Sequence, residues 1–152
     1  MMRVGVYAGA MLMACTTGAS AFGPATAPIV VAQTKVTTPE EFDKAMKPAG
    51  PAMRNIGKMV ASGGAVADVK KELAVLRAAL TDTQSCWVLH KKDDAVKMNK
   101  ESVAKLDAFE AALTGEKVDP AAAATMKEVG GTCAACHKQF REQDAEGNYK
   151  IK

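Results

Sequence analysis

Cys133-Ala134-Ala135-Cys136-His137 sets two thiols and an imidazole within five consecutive residues, and the spacing C-x-x-C-H is that of covalent c-type haem attachment. In that chemistry both thiols become thioethers to the haem vinyl groups, and the histidine binds the iron. Residues three and four apart share a helix face, so Cys133 and Cys136 can reach one porphyrin edge while His137 points its imidazole at the centre. The competing reading is a zinc half-site, and zinc usually takes four ligands. Outside the motif only Cys15, Cys86 and His90 remain as cysteine or histidine donors, and Cys15 lies in a segment expected to be removed or lipidated. One covalently bound haem c per chain is the expected cofactor.

The elements that carry such a motif can be read from the rest of the chain. With 152 residues, 5% aromatics and six prolines, the composition suits one all-α domain. Met1-Met2-Arg3 is a short basic start, Val4 to Ala14 is apolar, and Ala19-Ser20-Ala21 is a small-residue cleavage signature. Residues 1–21 therefore read as a signal peptide. Cleavage at 14, leaving Cys15 lipidated, and cleavage at 32 are the alternatives. The apolar run is shorter than the roughly 20 residues that span a bilayer, so no transmembrane segment is expected in the mature chain. Export and a haem attached outside the bacterial cytoplasm together indicate the periplasm.

A flexible linker over 22–37 is followed by a domain over 38–152. Thr38 as N-cap, Pro39 at N1 and Glu40-Glu41 in the first turn open a first helix to about Ala61. Phe42, Met46, Met53, Ile56 and Val60 are among its apolar residues, with a kink expected near Pro48, Gly50 and Pro51. Gly63-Gly64 ends it. Val66, Val69, Leu73, Leu76, Leu80, Thr83, Trp87 and His90 recur three and four apart, predicting a second helix from Val66 to His90 with one buried stripe. After Lys91-Lys92-Asp93-Asp94, with an Asp as N-cap, a third helix turns Ala95, Met98, Val103, Leu106, Phe109 and Leu113 inward and stops at Thr114-Gly115. Asp119-Pro120 opens a fourth through Met126, Val129 and the CAACH motif to Gly147. Four amphipathic helices with short connections read as an antiparallel up-down-up-down four-helix bundle with the haem on its C-terminal helix.

The formal charge of +3 falls by one when Arg3 leaves with the signal, and no strongly basic surface for nucleic acid emerges. Lys70-Lys71 and Lys91-Lys92 are most simply solvated helix faces. No phosphate loop or Ser-His-Asp arrangement is present. With two histidines in the chain, none is spare as the distal acid-base group of a peroxidase, so an enzyme is not expected.

From about Thr38 onward the chain resembles the class II cytochromes c, the cytochrome c′ superfamily. The most specific element is CAACHKQFR, residues 133–141, since members often follow the haem histidine with an aromatic residue and an arginine. The resemblance implies that Arg141 lies near the haem edge and a propionate; an exposed helix-end cation is the alternative. The family divides by what the first helix offers the sixth iron position. An apolar side chain leaves a five-coordinate iron open to gases such as nitric oxide or carbon monoxide, and a methionine gives a low-spin iron.

Ala45-Met46-Lys47, followed by Gly50, Met53 and Gly57, is similar to the methionine-ligated branch, which makes Met46 the implied sixth ligand. By itself a methionine on an apolar helix face is core filler. His90 is the other candidate ligand, against its simpler reading as a helix-terminal histidine. Trp87 is expected against the haem or the bundle end, and Cys86 as a buried small hydrophobe. The implied function is a periplasmic electron carrier with redox-protein partners, the alternative a five-coordinate gas binder. Many relatives pair through their first two helices, so a homodimer is allowed.

Overall fold

The computed structural model describes residues 35–145 and 149–152. The segment read as a signal peptide, Cys15 and most of the expected linker lie outside the described residues. Thr38 caps helix α1 (Pro39–Met46): its hydroxyl accepts from the Glu41 amide at 3.2 Å, and the Glu41 carboxylate accepts from the amides of Thr37 at 2.8 Å and Thr38 at 3.2 Å. This reciprocal capping box satisfies amides that the first helical turn leaves without partners. Packed structure starts two residues earlier than Thr38, because Val36 is buried and its carbonyl accepts from Ser85 Oγ at 2.7 Å.

The backbone bonds from Thr37 and Thr38 hold the Glu41 carboxyl below the ordinary carboxylate range. A depressed folded-state pKa means that this stabilisation is complete above the unfolded value and is lost as pH falls through the folded one. Thr38→Ala is expected to cost about 1 kcal/mol, seen as a lower denaturant midpoint at unchanged slope. Glu41→Gln is expected to flatten part of the acid limb of stability against pH.

The first helix is broken rather than kinked. Lys47 and Pro48 keep helical dihedrals, but Pro48 and Pro51 have no N–H to donate to the carbonyls of Lys44 and Lys47. The ladder's last bond runs from Lys47 N to Asp43 O at 2.9 Å, and it restarts as α2 (Ala49–Ser62) with Ala52 N donating to Pro48 O at 3.2 Å. Gly63 closes α2 in the left-handed region at φ 64°, a conformation that suits a residue without Cβ. Helix α3 (Val66–Leu89) buries the anticipated stripe from Val66 to Trp87. His90 falls one residue past its end and is exposed.

Helix α4 (Asp93–Ala112) starts after Lys92, not after an aspartate: Lys91, at φ 54°, makes the turn, and both aspartates sit in the first turn beside the positive end of the helix dipole. Its buried stripe is Ala95, Asn99, Ser102, Leu106 and Phe109, while Met98 and Val103 are only half-buried. Before α5 (Ala122–Phe140), Asp119 accepts from the Ala121 amide at 2.8 Å. The helix stops at Phe140 instead of continuing to Gly147. From there the chain forms strand β1 (Arg141–Gln143), pairing antiparallel with β2 (Tyr149–Ile151), Arg141 opposite Ile151.

The molecule is mostly helical with little sheet. Helices α2 and α3, α3 and α4, α4 and α5, and α5 and α2 pack against one another, while α1 rests on α3 and β2. At one end the α2–α3 turn pairs with the α4–α5 connection: Val66 N donates to Glu116 O and Val118 N to Gly64 O, both at 2.9 Å. Ile56, Leu73, Leu76, Leu106, Phe109 and Val129 lie in the main core. A separate cluster gathers Trp87, Ala95 and Phe140. Among the described residues no helix is long and apolar enough to cross a membrane.

Candidate functional site

A cavity of about 580 Å³ opens between α1, α2, α3, α4, α5 and the hairpin, within the size range of small-molecule and cofactor sites. Helix α5 turns Cys133, Cys136 and His137 into it, all three half-buried, while Ala134 and Ala135 between them face outward and are exposed. The motif thus spends its reactive side chains on the cavity and its methyl groups on the surface. Cys133 packs against the main core and Cys136 against the Trp87 cluster, so the two thiols bridge both apolar regions. Trp87 stands edge-on to Phe42, ring centres 4.6 Å apart, and tilted against Phe140 at 5.6 Å. These rings wall one side of the cavity.

His137 lies in the last turn of α5, three residues before its end. Burial, then the nearby Arg141 guanidinium, lowers its pKa, which favours the neutral imidazole a metal requires. Burial raises the pKa of the Cys133 and Cys136 thiols. All are free cysteines, as is Cys86, which is fully buried but does not line the cavity.

Met46, the last residue of α1, lines the cavity and is half-buried, with the Thr83 hydroxyl 3.9 Å from its Sδ. The break at Pro48 leaves Met46 at a helix end without taking it from the cavity. Met53 of α2 is the other methionine among the lining residues, whereas His90 is exposed and does not line the cavity. Neither Cys86 nor His90 joins the CAACH side chains, and among the described residues no group of three or more His, Cys, Asp and Glu side chains is placed to hold a metal ion.

The rim is cationic. Lys47, Arg54, Arg141 and Lys150 are exposed around it; Lys47 pairs with Asp43 at 2.8 Å and Lys150 with Asp144 at 3.2 Å. Arg141 reaches the rim from β1, not from a continuing helix. Lys150 and Ile151 on β2 line the same opening, a contribution no helical reading of the C-terminus foresees.

The polar part of the interior comes from Thr83, Asn99 and Ser102, all buried lining residues. Thr83 was legible as part of the α3 stripe. Asn99 and Ser102 were not, because a search for apolar residues passes over them, although Ala95, Asn99, Ser102, Leu106 and Phe109 complete a four-three-four-three spacing that gives their burial away.

Comparison with known proteins finds no matching family model, no matching curated protein and no matching solved structure.

Proposed function

We propose that this chain is a periplasmic monohaem cytochrome c, an antiparallel up-down-up-down bundle that carries single electrons between redox-protein partners. The observation that carries the proposal is the convergence of Cys133, Cys136, His137 and Met46 on one largely apolar cavity of about 580 Å³. The fit is chemical as well as volumetric. Two thiols and an imidazole on one wall suit a covalently held porphyrin, aromatic and aliphatic walls suit its faces, and rim cations suit its two carboxylates.

When bound, haem c supplies a reversible one-electron couple. Cys133 and Cys136 tether it, so that it is not lost from an exported protein. His137 would hold the iron through a neutral imidazole nitrogen. Met46 would offer a thioether, whose binding would favour the reduced state and limit direct ligand chemistry at the iron. Arg141, with Lys47, Arg54 and Lys150, balances propionate charge at the opening. Apolar packing around Trp87, Phe42 and Phe140 keeps water from that side of the cavity, restricting solvent rearrangement on electron gain or loss.

The test is spectroscopic. Protein purified from a periplasmic fraction is expected to give a pyridine haemochromogen typical of two thioether links, a low-spin reduced spectrum, and a ferric charge-transfer band of methionine ligation. A five-coordinate high-spin spectrum that shifts readily with carbon monoxide would instead support the gas-binding alternative.

A further inference from the structure

The cavity's polar wall is built in one sense. Asn99 is 4% exposed, Ser102 2% and Thr83 0%, so all three are more than nine-tenths buried. Asn99 Nδ2 donates to Leu80 O at 2.9 Å, Thr83 Oγ1 to Ala79 O at 2.7 Å, and Ser102 Oγ to Met98 O at 2.9 Å. Each of the three thus donates to a helix carbonyl, and the Thr83 hydroxyl also lies 3.9 Å from the Met46 thioether as a weaker acceptor. Asn99 Oδ1 is buried without a hydrogen-bond partner, and among the described residues no protein group donates to the hydroxyl oxygens of Thr83 and Ser102.

The amide cannot simply be turned over. Exchanging its two ends would aim Oδ1 at the Leu80 carbonyl and set two acceptors against each other. Asn99 and Ser102, three apart on α4, share a face, as do Leu80 and Thr83 on α3. Asn99 is bonded to Leu80, so the three groups belong to one seam between α3 and α4. Thr83 places that seam beside Met46.

We infer that Asn99 Oδ1, with the Thr83 and Ser102 hydroxyls, forms a binding site for one small hydrogen-bond donor, a water molecule in the resting protein. A buried acceptor left unmade is costly, and a water with two to four polar partners is the usual solution in a polar recess. Porphyrin carbons offer no donor, and an ionised propionate would oppose the wall with further acceptors. Carbon monoxide and nitric oxide carry no hydrogen, so this seam gives them nothing. A wall of acceptors also turns negative ends of dipoles toward the cavity, which stabilises the more positive, oxidised state of a bound redox centre.

The inference deepens the proposed function and rests on haem occupying the cavity. Its test is a crystal structure of the haem-loaded protein, alongside those of Asn99→Leu and Ser102→Ala. Wild type is expected to hold an ordered water within hydrogen-bond distance of Asn99 Oδ1 and of Thr83 or Ser102. Asn99→Leu is expected to lose it and to raise the reduction potential while keeping the low-spin spectrum. Ser102→Ala, which leaves Asn99 in place, is expected to keep the water with weaker density and provides the comparison if Asn99→Leu fails to fold. Haem attached but Asn99 Oδ1 against bare porphyrin or a propionate overturns this inference alone. A chain without covalent haem by pyridine haemochromogen overturns it together with the function it rests on.

Discussion

Met46→Ala is expected to convert a low-spin spectrum to a high-spin one, abolish the methionine charge-transfer band and open the iron to carbon monoxide. The size of the effect follows from competition. If the thioether closes the iron in about 99% of molecules, it weakens apparent gas affinity about 100-fold, and its removal restores that factor. The fold should tolerate the change, since Met46 is half-buried at a helix end and its loss should cost less than the roughly 2–5 kcal/mol of a fully buried methionine. Carbon monoxide titration of the ferrous protein reads the affinity, and thermal unfolding reads the stability. An unchanged spectrum would assign the sixth position elsewhere. Met53, which shares the cavity, is then the next residue to replace; His90 is the weaker suspect because it is exposed and outside that cavity.

Replacing both Cys133 and Cys136 by Ala is expected to leave haem extractable by acidified acetone and, once it is extracted, to leave a chain without fixed tertiary packing. At about 24 cal/mol per Å³, an empty cavity of 580 Å³ would cost roughly 14 kcal/mol. That figure is an upper bound, because the cavity opens to solvent at its cationic rim. Even a third of it would consume much of the 5–15 kcal/mol that holds a typical domain folded. The expected signature is retained far-UV helicity with lost near-UV signal and a shallow denaturant transition. A haem-free variant that unfolds as sharply, and at the same midpoint, as the holoprotein would refute the view that the cofactor completes the core.

Much of this molecule is local in origin and therefore legible. Thr38-Pro39-Glu40-Glu41 specifies a helix start because cap, fixed φ and returning carboxylate all lie within four residues. The stripe from Val66 to Trp87 specifies a helix and its buried face because its spacing matches the turn of the backbone. The C-terminus failed for a different reason. Helical propensity continues past Phe140, but Arg141 to Gln143 are held as a strand by pairing with Tyr149 to Ile151 and by Lys152 N donating to Phe140 O at 2.9 Å. Those bonds close a local antiparallel pair, Gln143 opposite Tyr149 and Arg141 opposite Ile151, whose cross-strand hydrogen bonds helical spacing does not register.

By itself the sequence determined the residues on which the proposed haem attachment rests, because C-x-x-C-H concentrates two thiols and an imidazole within one helical turn, and it determined the helices that carry them. Tertiary structure alone decided which distant side chains meet them. It brought Met46 and Met53 into the cavity, left His90 outside, set rim cations on a hairpin, and buried Asn99 and Ser102 on its wall. These outcomes depend on how helix faces rotate and where helices end once they pack. A shift of one residue moves a side chain about 100° around the axis, enough to exchange cavity for solvent.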